Sequence, residues 1–165
     1  AAIIYNLFAV SSEIFGHVEI SNVRIVGNID KGIIGTKNNS GCEVDLVNAE
    51  IRGNTKVAWS GVNKLSNAIL NGKTDEWGAK YSEKCIDTSN EFSMLNRGGI
   101  KSSIVLMPSA NGEYTYISAN GDAVTISDVS LIDKNLFVSL LGLSEEVWDL
   151  DDIDIKSGKY PKLKI

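Results

Sequence analysis

The sequence predicts an all-β fold, a right-handed parallel β-helix (a solenoid of stacked coils), from a repeated phrase and its periodicity. Residues 18–28 read VEISNVRIVGN, and residues 44–54 read VDLVNAEIRGN with apolar, Asn and Gly residues at the same places. A shorter copy follows at residues 65–73. The asparagines of the three copies are 26 and then 19 residues apart. Unequal spacing around a constant core is typical of a solenoid whose loops vary in length.

Each copy alternates in polarity as a strand does, with one irregular step at its asparagine. Because Asn tolerates left-handed backbone angles, we expect the chain to bend at Asn22, Asn48 and Asn67, where stacked side-chain amides would form a ladder. The alternation also predicts three inward aliphatic residues per copy. They are Ile20, Val23 and Ile25, then Leu46, Ala49 and Ile51, then Leu65, Ala68 and Leu70.

The residues between these inward positions are expected to face outward. Arg24, Glu50 and Ile69 fall in one such column. An exposed ion pair contributes only about 0.2–1 kcal/mol, so we expect Glu50→Lys to change the melting temperature little. The inward substitution Ile51→Asp is expected to destabilise the chain severely, because it buries an unpaired charge.

Weaker relatives of the phrase flank the clear copies. Residues 4–9, 100–106 and 125–131 are candidates for further coils, and residues 113–118 for another strand. Residues 74–84 break the rhythm and are expected to form a long loop or a short helix. Antiparallel sandwiches and barrels also have short strands with Gly and Asn turns, so they are the alternative fold.

The period changes to a helical one near the carboxyl end. Asp133 is a suitable N-cap and Gly142 a suitable stop, which together predict a short helix over residues 134–141. We expect this helix and the following tail to cover the last coil. The whole chain is then one β-helix domain, with coils over residues 1–132 and a C-terminal capping helix and tail over 133–165.

Composition excludes several classes of protein. The chain has 165 residues, a net charge of −5, and 43% hydrophobic residues with two prolines. It therefore resembles neither a disordered nor a collagen-like chain, and the charge gives no reason to expect nucleic acid as a partner. No apolar run reaches the roughly 20 residues that cross a bilayer, so no membrane insertion is expected.

The cysteines and the amino end carry two further expectations. Cys42 and Cys85 would be able to pair in an exported protein, but one pair is not a disulfide framework, and we expect two free thiols. The sequence starts at Ala1 without an initiator Met or a signal peptide. We therefore expect it to be a fragment that continues into other domains of a larger chain.

The repeats resemble a known family. Residues 32–35 (GIIG), residues 44–49 and the closing Gly53 look like the GLUG-type repeats of bacterial surface proteins, and residues 141–164 are similar to the segment that often follows such an array. Similar repeats occur in the non-catalytic β-helical part of immunoglobulin-A1 metalloproteases. The resemblance implies an exported bacterial protein whose repeats act as a scaffold or adhesive stalk. The His-Glu-x-x-His zinc helix of those proteases has no counterpart here.

Residues able to support catalysis or to bind metal are sparse. His17 is the only histidine and has no nucleophile motif around it, so we expect a surface or corner residue. The acidic run Asp149, Asp151, Asp152 and Asp154 fails the EF-hand pattern, and a solvated loop is expected, with another calcium site as the alternative. The sequence thus predicts no catalytic residue, no metal ligand and no cofactor.

Three aromatic residues are the candidate binding residues. Trp59, Trp77 and Tyr81 fall in predicted loops, where they would stack against sugar rings or bind a protein; packing against the coils is the alternative. Together with the repeats, they predict a non-enzymatic, extracellular or cell-surface module that binds an unidentified glycan or protein of the host or the cell surface. A different class, a carbohydrate-active β-helix enzyme (polysaccharide lyase or glycosidase), stays open.

The enzyme alternative depends on acidic residues of the outer face. Glu19, Glu43 and Asp45 are expected to lie close together there, with Lys64 nearby. Glycosidases and lyases need paired carboxylates, or a carboxylate with a basic partner, on one face. The sequence does not decide whether these residues line a groove or only decorate a strand.

Overall fold

The computed structural model describes residues 16–27, 42–53, 62–71, 79–88 and 100–165. Within them the fold is all-β, as predicted. The strands are β1 (Gly16–Val26), β2 (Cys42–Arg52), β3 (Val62–Ser66), β4 (Ile69–Asn71), β5 (Ala79–Glu83), β6 (Ile86–Asp87), β7 (Ile100–Lys101), β8 (Ser103–Val105), β9 (Tyr114–Ile117), β10 (Ala123–Ile126), β11 (Trp148–Asp149) and β12 (Lys162–Leu163). One α-helix, α1 (Lys134–Ser139), and the 3₁₀ turns Val129–Leu131 and Ile155–Ser157 complete the described elements.

Ten of the strands form one curled sheet. β1 pairs with β2 in parallel, and the two halves of β2 then pair with β3 and β4. The same split continues in parallel through β5 and β6 to β7 and β8. The sheet thus has two rows, which we call the first row (β3, β5, β7) and the second row (β4, β6, β8), and both begin at β1 and β2.

The two rows meet at a bend with a left-handed backbone. Asn22, Asn48 and Asn67 have φ angles of 54°, 52° and 51°, and Lys84 and Ser102 adopt similar angles in the later coils. The predicted bends at the three asparagines are therefore confirmed. The predicted amide ladder exists between the first two coils, since Asn48 Nδ2 donates to Asn22 Oδ1 at 3.0 Å.

The predicted inward residues form the first of two apolar cores. Seven of the nine are buried, and Ile20 and Val23 are partly buried against them. Later coils place polar residues in the same columns: Ser82, Cys85, Asp87 and Ser103, all at most 2% exposed. The buried hydroxyl of Ser103 is satisfied by backbone groups: it accepts from the Cys85 N–H at 3.0 Å and donates to the Lys101 carbonyl at 2.8 Å.

Cys85 is a free, fully buried thiol. Burial raises its pKa to about 12, against the smaller opposing effect of a hydrogen bond with the backbone of Ala68. The expectation of a free thiol is confirmed for Cys85. The side chain of Cys42 lies outside the described residues.

Two segments differ from the sequence-based expectations. Residues 79–83 form β5 rather than a loop or helix, since Ser82 fills an inward position that an aliphatic residue fills elsewhere. Residues 125–131 do not form a coil: β10 pairs with β9 antiparallel, because the turn between them is too short for a parallel crossover. The sheet is therefore mixed, parallel through β8 and antiparallel from there to β10.

The carboxyl-terminal segment builds a second apolar core. Asp133 caps α1 by accepting from the Leu136 N–H, as predicted. The helix ends at Ser139, two residues before the predicted end at Leu141, and Gly142 follows with φ 60°. The second core packs Phe137, Leu141 and Trp148 against the outer side of the second row. The division of the chain into coils and a capping tail stays a prediction, and the candidate coil at residues 4–9 lies outside the described residues.

Candidate functional site

The outer side of the first row presents a column of charged residues. The parallel register aligns Glu19 with Asp45 and Asp45 with Lys64. Neighbouring strands are about 4.8 Å apart, so the two carboxylates are neighbours along the stack. Glu19 is exposed, and the Asp45 side chain is 15% exposed. The two carboxylates thus share one side of the sheet, as expected, while the side chain of Glu43 lies outside the described residues.

Ion pairs occupy this charged column. His17 Nε2 lies 3.6 Å from Asp45 Oδ2, and Lys64 Nζ lies 2.6 Å from Glu83 Oε1. His17 has a 54% exposed side chain, which confirms the expected surface position. The Lys64 and Glu83 side chains are each 39% exposed, so water screens their attraction. Chemically, the column presents two adjacent carboxylates, Glu19 and Asp45, followed by the ammonium group of Lys64.

The structure places one of the three predicted binding aromatics. Tyr81 lies in β5 in register with Lys64, so it continues the charged column by one strand. Its side chain, and both Trp59 and Trp77, lie outside the described residues. Their role as glycan- or protein-binding residues stays a prediction.

The acidic loop near the carboxyl end is held by its own hydrogen bonds. Asp154 accepts from Ser157 Oγ at 2.6 Å, and this hydroxyl is the main cause that lowers the pKa of the Asp154 carboxyl. Asp151 accepts from Lys134 Nζ at 2.9 Å, which likewise lowers the pKa of Asp151. Lys159 Nζ lies 3.0 Å from Asp152 Oδ1. Among the described residues, no group of three or more His, Cys, Asp or Glu is arranged to hold a metal ion.

A cleft of about 450 Å³ lies beside this loop. Apolar side chains of the 3₁₀ turn and of the loop line it: Val129, Ile132, Leu150, Ile153 and Ile155. Asp133, Asp151 and Asp154 stand in its wall, and each is engaged as a cap or an ion-pair partner. The cleft therefore has an apolar lining, and the three carboxylates in its wall already have partners.

A charge cluster around one buried carboxylate is the feature that sequence reasoning missed. Glu50 is fully buried, not exposed as expected. Its carboxylate lies 2.9 Å from Arg24 Nε, forms an ion pair with Arg52, and accepts from the Leu163 N–H at 3.1 Å. Arg24 also donates to the Leu163 carbonyl at 2.6 Å. The cause of the error is β12, which covers this column from outside.

The sequence itself indicates that another segment covers the column of Glu50. The residues aligned with Glu50 in the later coils are Ile69, Ile86 and Ile104, each at most 2% exposed. Three isoleucines in a supposedly outward column indicate that another segment lies on it. The helically spaced apolar residues of the tail were the available partner.

Two bend asparagines add polar contacts to the tail. The indole N–H of Trp148 donates to Asn48 Oδ1 at 3.4 Å. Asn67 Nδ2 donates to the carbonyls of Leu141 at 3.4 Å and Gly142 at 3.2 Å. The bend residues of the coils therefore also anchor the tail.

Comparisons with known proteins add no assignment to this geometry. A scan against family models found no match, and comparisons with curated proteins and with solved structures found no significant match either. In the part of the chain that the structure describes, no helix is long and apolar enough to cross a bilayer.

Proposed function

We propose that this chain is a non-enzymatic repeat module of a bacterial cell-surface or secreted protein, in which a right-handed parallel β-helix serves as a stalk or an adhesive binding face. The observation that carries the proposal is the left-handed bend that recurs in every described coil, from Asn22 to Ser102. A left-handed bend that recurs at aligned positions of parallel strands is expected where repeats stack on one another. Stacked repeats form extended scaffolds.

The order of the strands supports the β-helical winding. After β4 the chain returns to place β5 beside β3, and after β6 it returns to place β7 beside β5. Connections between parallel strands of one sheet are right-handed in about 98% of cases. A crystal structure in which these returns wind left-handed would refute the right-handed assignment.

The surface role is supported by the resemblance of the repeat phrases to GLUG-type repeats and by the charged outer column of Glu19, Asp45 and Lys64. A partner would lie along this column, with Tyr81 in register at its end. We propose Trp59 and Trp77 as further contact residues. The partner class is a glycan or protein of the host or the cell surface.

A glycan array combined with a reducing-sugar release assay tests the function. Binding without turnover is the expected result for an adhesive face, and binding to no glycan would favour the stalk or a protein partner. Release of reducing sugar would contradict the non-enzymatic proposal, since both glycoside hydrolases and polysaccharide lyases create a new reducing end. Only a lyase would also give an unsaturated product that absorbs in the ultraviolet.

The assay has a matched control. A double variant, Trp59→Ala with Trp77→Ala, is expected to weaken glycan binding, since it removes two large apolar ring faces against which sugar rings would pack. Leu131→Ala removes a 61% exposed side chain of the 3₁₀ turn Val129–Leu131, outside the charged column, and is expected to leave binding unchanged. If the double variant and Leu131→Ala changed glycan affinity equally, Trp59 and Trp77 would not be part of the binding site.

A further inference from the structure

The first core is open at β1, the end strand of the parallel stack. Among the described residues β1 pairs with β2 alone, so its other edge carries no strand there. Val18 is 37% exposed, whereas Val44, its partner in β2, is fully buried. Ile20 and Val23 are only partly buried, unlike the residues aligned with them in β2. An apolar core that ends at an uncovered strand edge is a surface to which another strand can add.

The hydrogen bonds of the later coils show which main-chain groups of β1 face this free edge. The carbonyls of Ala68 and Leu70 accept from the coil that follows them. Their equivalents in β1 are Val23 and Ile25, whose carbonyls therefore face β2. Successive residues of a strand direct their N–H and C=O groups to alternate edges. Arg24, which lies between these two residues, thus directs its main chain to the free edge.

The main chain before the bend follows the same rule. The Asn67 N–H donates to the coil that follows, and its equivalent in β1 is Asn22. Counting back from Asn22 by alternate edges, the main chain of Glu19 faces the free edge. Glu19 and Arg24 therefore offer their main-chain donors and acceptors on one edge, at equal distances from the bond between Ser21 and Asn22.

The sequence of β1 is symmetric about that bond. Residues 18–21 read VEIS and residues 22–25 read NVRI, so each direction outward gives a polar, an apolar, a charged and an apolar residue. The two charges have opposite signs. When two copies of β1 lie antiparallel with this bond on a two-fold axis, Glu19 of each copy faces Arg24 of the other, and each apolar residue faces an apolar one. Opposite charges that face each other across two strands stabilise the pairing.

Both charged side chains are accessible to such a partner. Glu19 is exposed, and the Arg24 side chain is 36% exposed although it also binds Glu50. A second copy added in parallel and in register would instead set Glu19 beside Glu19 and Arg24 beside Arg24, which repel each other. A shift of the antiparallel register by one residue would set apolar residues against charged ones. Charge and pattern thus favour one arrangement.

We propose that the free edge of β1 is a self-association surface, to which a second copy of this chain adds its own β1 antiparallel, about a two-fold axis at the bend. Each copy contributes the same patch, so the contact closes as a dimer and does not grow into a filament. The open ends of the two first cores then cover each other, including Val18. This contact goes beyond the proposed function and does not depend on it.

Sedimentation velocity of the full chain over a range of concentrations tests the surface. The wild type is expected to dimerise reversibly. Glu19→Lys should raise the dissociation constant of the dimer at least about tenfold, because it turns two symmetry-related attractions into repulsions. The control is Glu83→Lys, which makes the same change of charge at a 39% exposed side chain in β5 and should leave the constant unchanged. A monomeric wild type, or equal effects of the two substitutions, would overturn the proposal.

Hydrogen exchange tests the same edge without any substitution. The Glu19 and Arg24 amides should exchange at least about tenfold more slowly at concentrations where the dimer forms than where it is dissociated. The Gly27 amide, which donates to the Arg52 carbonyl within each copy, should keep its rate. If the Glu19 and Arg24 amides were protected equally at all concentrations, a segment of the same copy would cover the edge, and the proposal would be wrong.

Discussion

Reversing the charge at Glu50 is expected to destabilise the protein strongly. Glu50→Lys removes the acceptor of the Leu163 N–H and sets a third cation against Arg24 and Arg52, at a position where the native side chain is fully buried. The Arg24 and Arg52 side chains are 36% and 43% exposed, so the cost comes from the unpaired charge at the buried position itself. Leaving one unpaired charge buried costs about 3–5 kcal/mol. For a chain of this size each kcal/mol lowers the melting temperature by about 2–4 °C, so we expect a fall of about 6–20 °C.

The assay is thermal and urea unfolding followed by circular dichroism, with Glu83→Lys as the control. Glu83 is also a carboxylate in an ion pair on the sheet, at 2.6 Å from Lys64, but its side chain is 39% exposed. Loss of that pair should cost about 0–1 kcal/mol. If Glu50→Lys shifts the midpoint no more than Glu83→Lys does, the tail does not cover Glu50 in solution and the burial argument is wrong.

Three further substitutions and one titration test the core and the stack. Gly53→Ala should cost several kcal/mol more than Gly27→Ala in urea unfolding, because both have positive φ but only at Gly53 would the new Cβ lie 2.5 Å from a backbone oxygen; equal costs would argue against the close stacking. Ile51→Asp should leave little folded protein by circular dichroism, since the side chain is 1% exposed in the first core; a near-native melting curve would contradict this. The Cys85 thiol should resist iodoacetamide at pH 8 until urea unfolds the chain, and urea midpoints should fall above about pH 9, where the unfolded chain loses a proton that the native thiol keeps to about pH 12; rapid native labelling would contradict its burial.

The repeat phrases allowed the bends and the first core to be predicted, because two local effects agree there. Asn22 and Asn48 are residues that tolerate left-handed backbone angles. The aliphatic residues on either side of the bend, such as Leu46 and Ala49, are both buried only if the chain bends there and turns them to the same side. The local preference of asparagine and the burial of its aliphatic neighbours therefore favour the same backbone conformation. Where the two agree, the sequence alone is sufficient to predict the bend.

The later coils were harder to predict because their residues depart from both preferences. Lys84 and Ser102 adopt the bend without the chemistry that favours it. Ser82 and Asp87 stand in inward columns beside aliphatic neighbours of adjacent coils. Here pairing with the neighbouring parallel strands imposes the conformation, since it outweighs the weak intrinsic preference of a single residue.

Strand periodicity and backbone preference do not predict whether an aromatic residue in a loop binds a ligand. A tryptophan in a loop packs or binds depending on what surrounds it, and Trp59 and Trp77 lie outside the described residues. Tyr81 is placed only by its register with Lys64.

The column that runs from Arg24 through Glu50 to Ile104 shows why strand alternation alone misjudged the outer side. Alternation tells which residues share a side of a strand, but not whether water reaches that side. The isoleucines of the column required a cover, and the same cover then removed water from Glu50 at its edge. A buried carboxylate needs partners that stay in place, and Arg24 and the Leu163 amide provide them. The position of the tail is thus fixed jointly by the apolar row and by the charge beside it, neither of which is informative without the other.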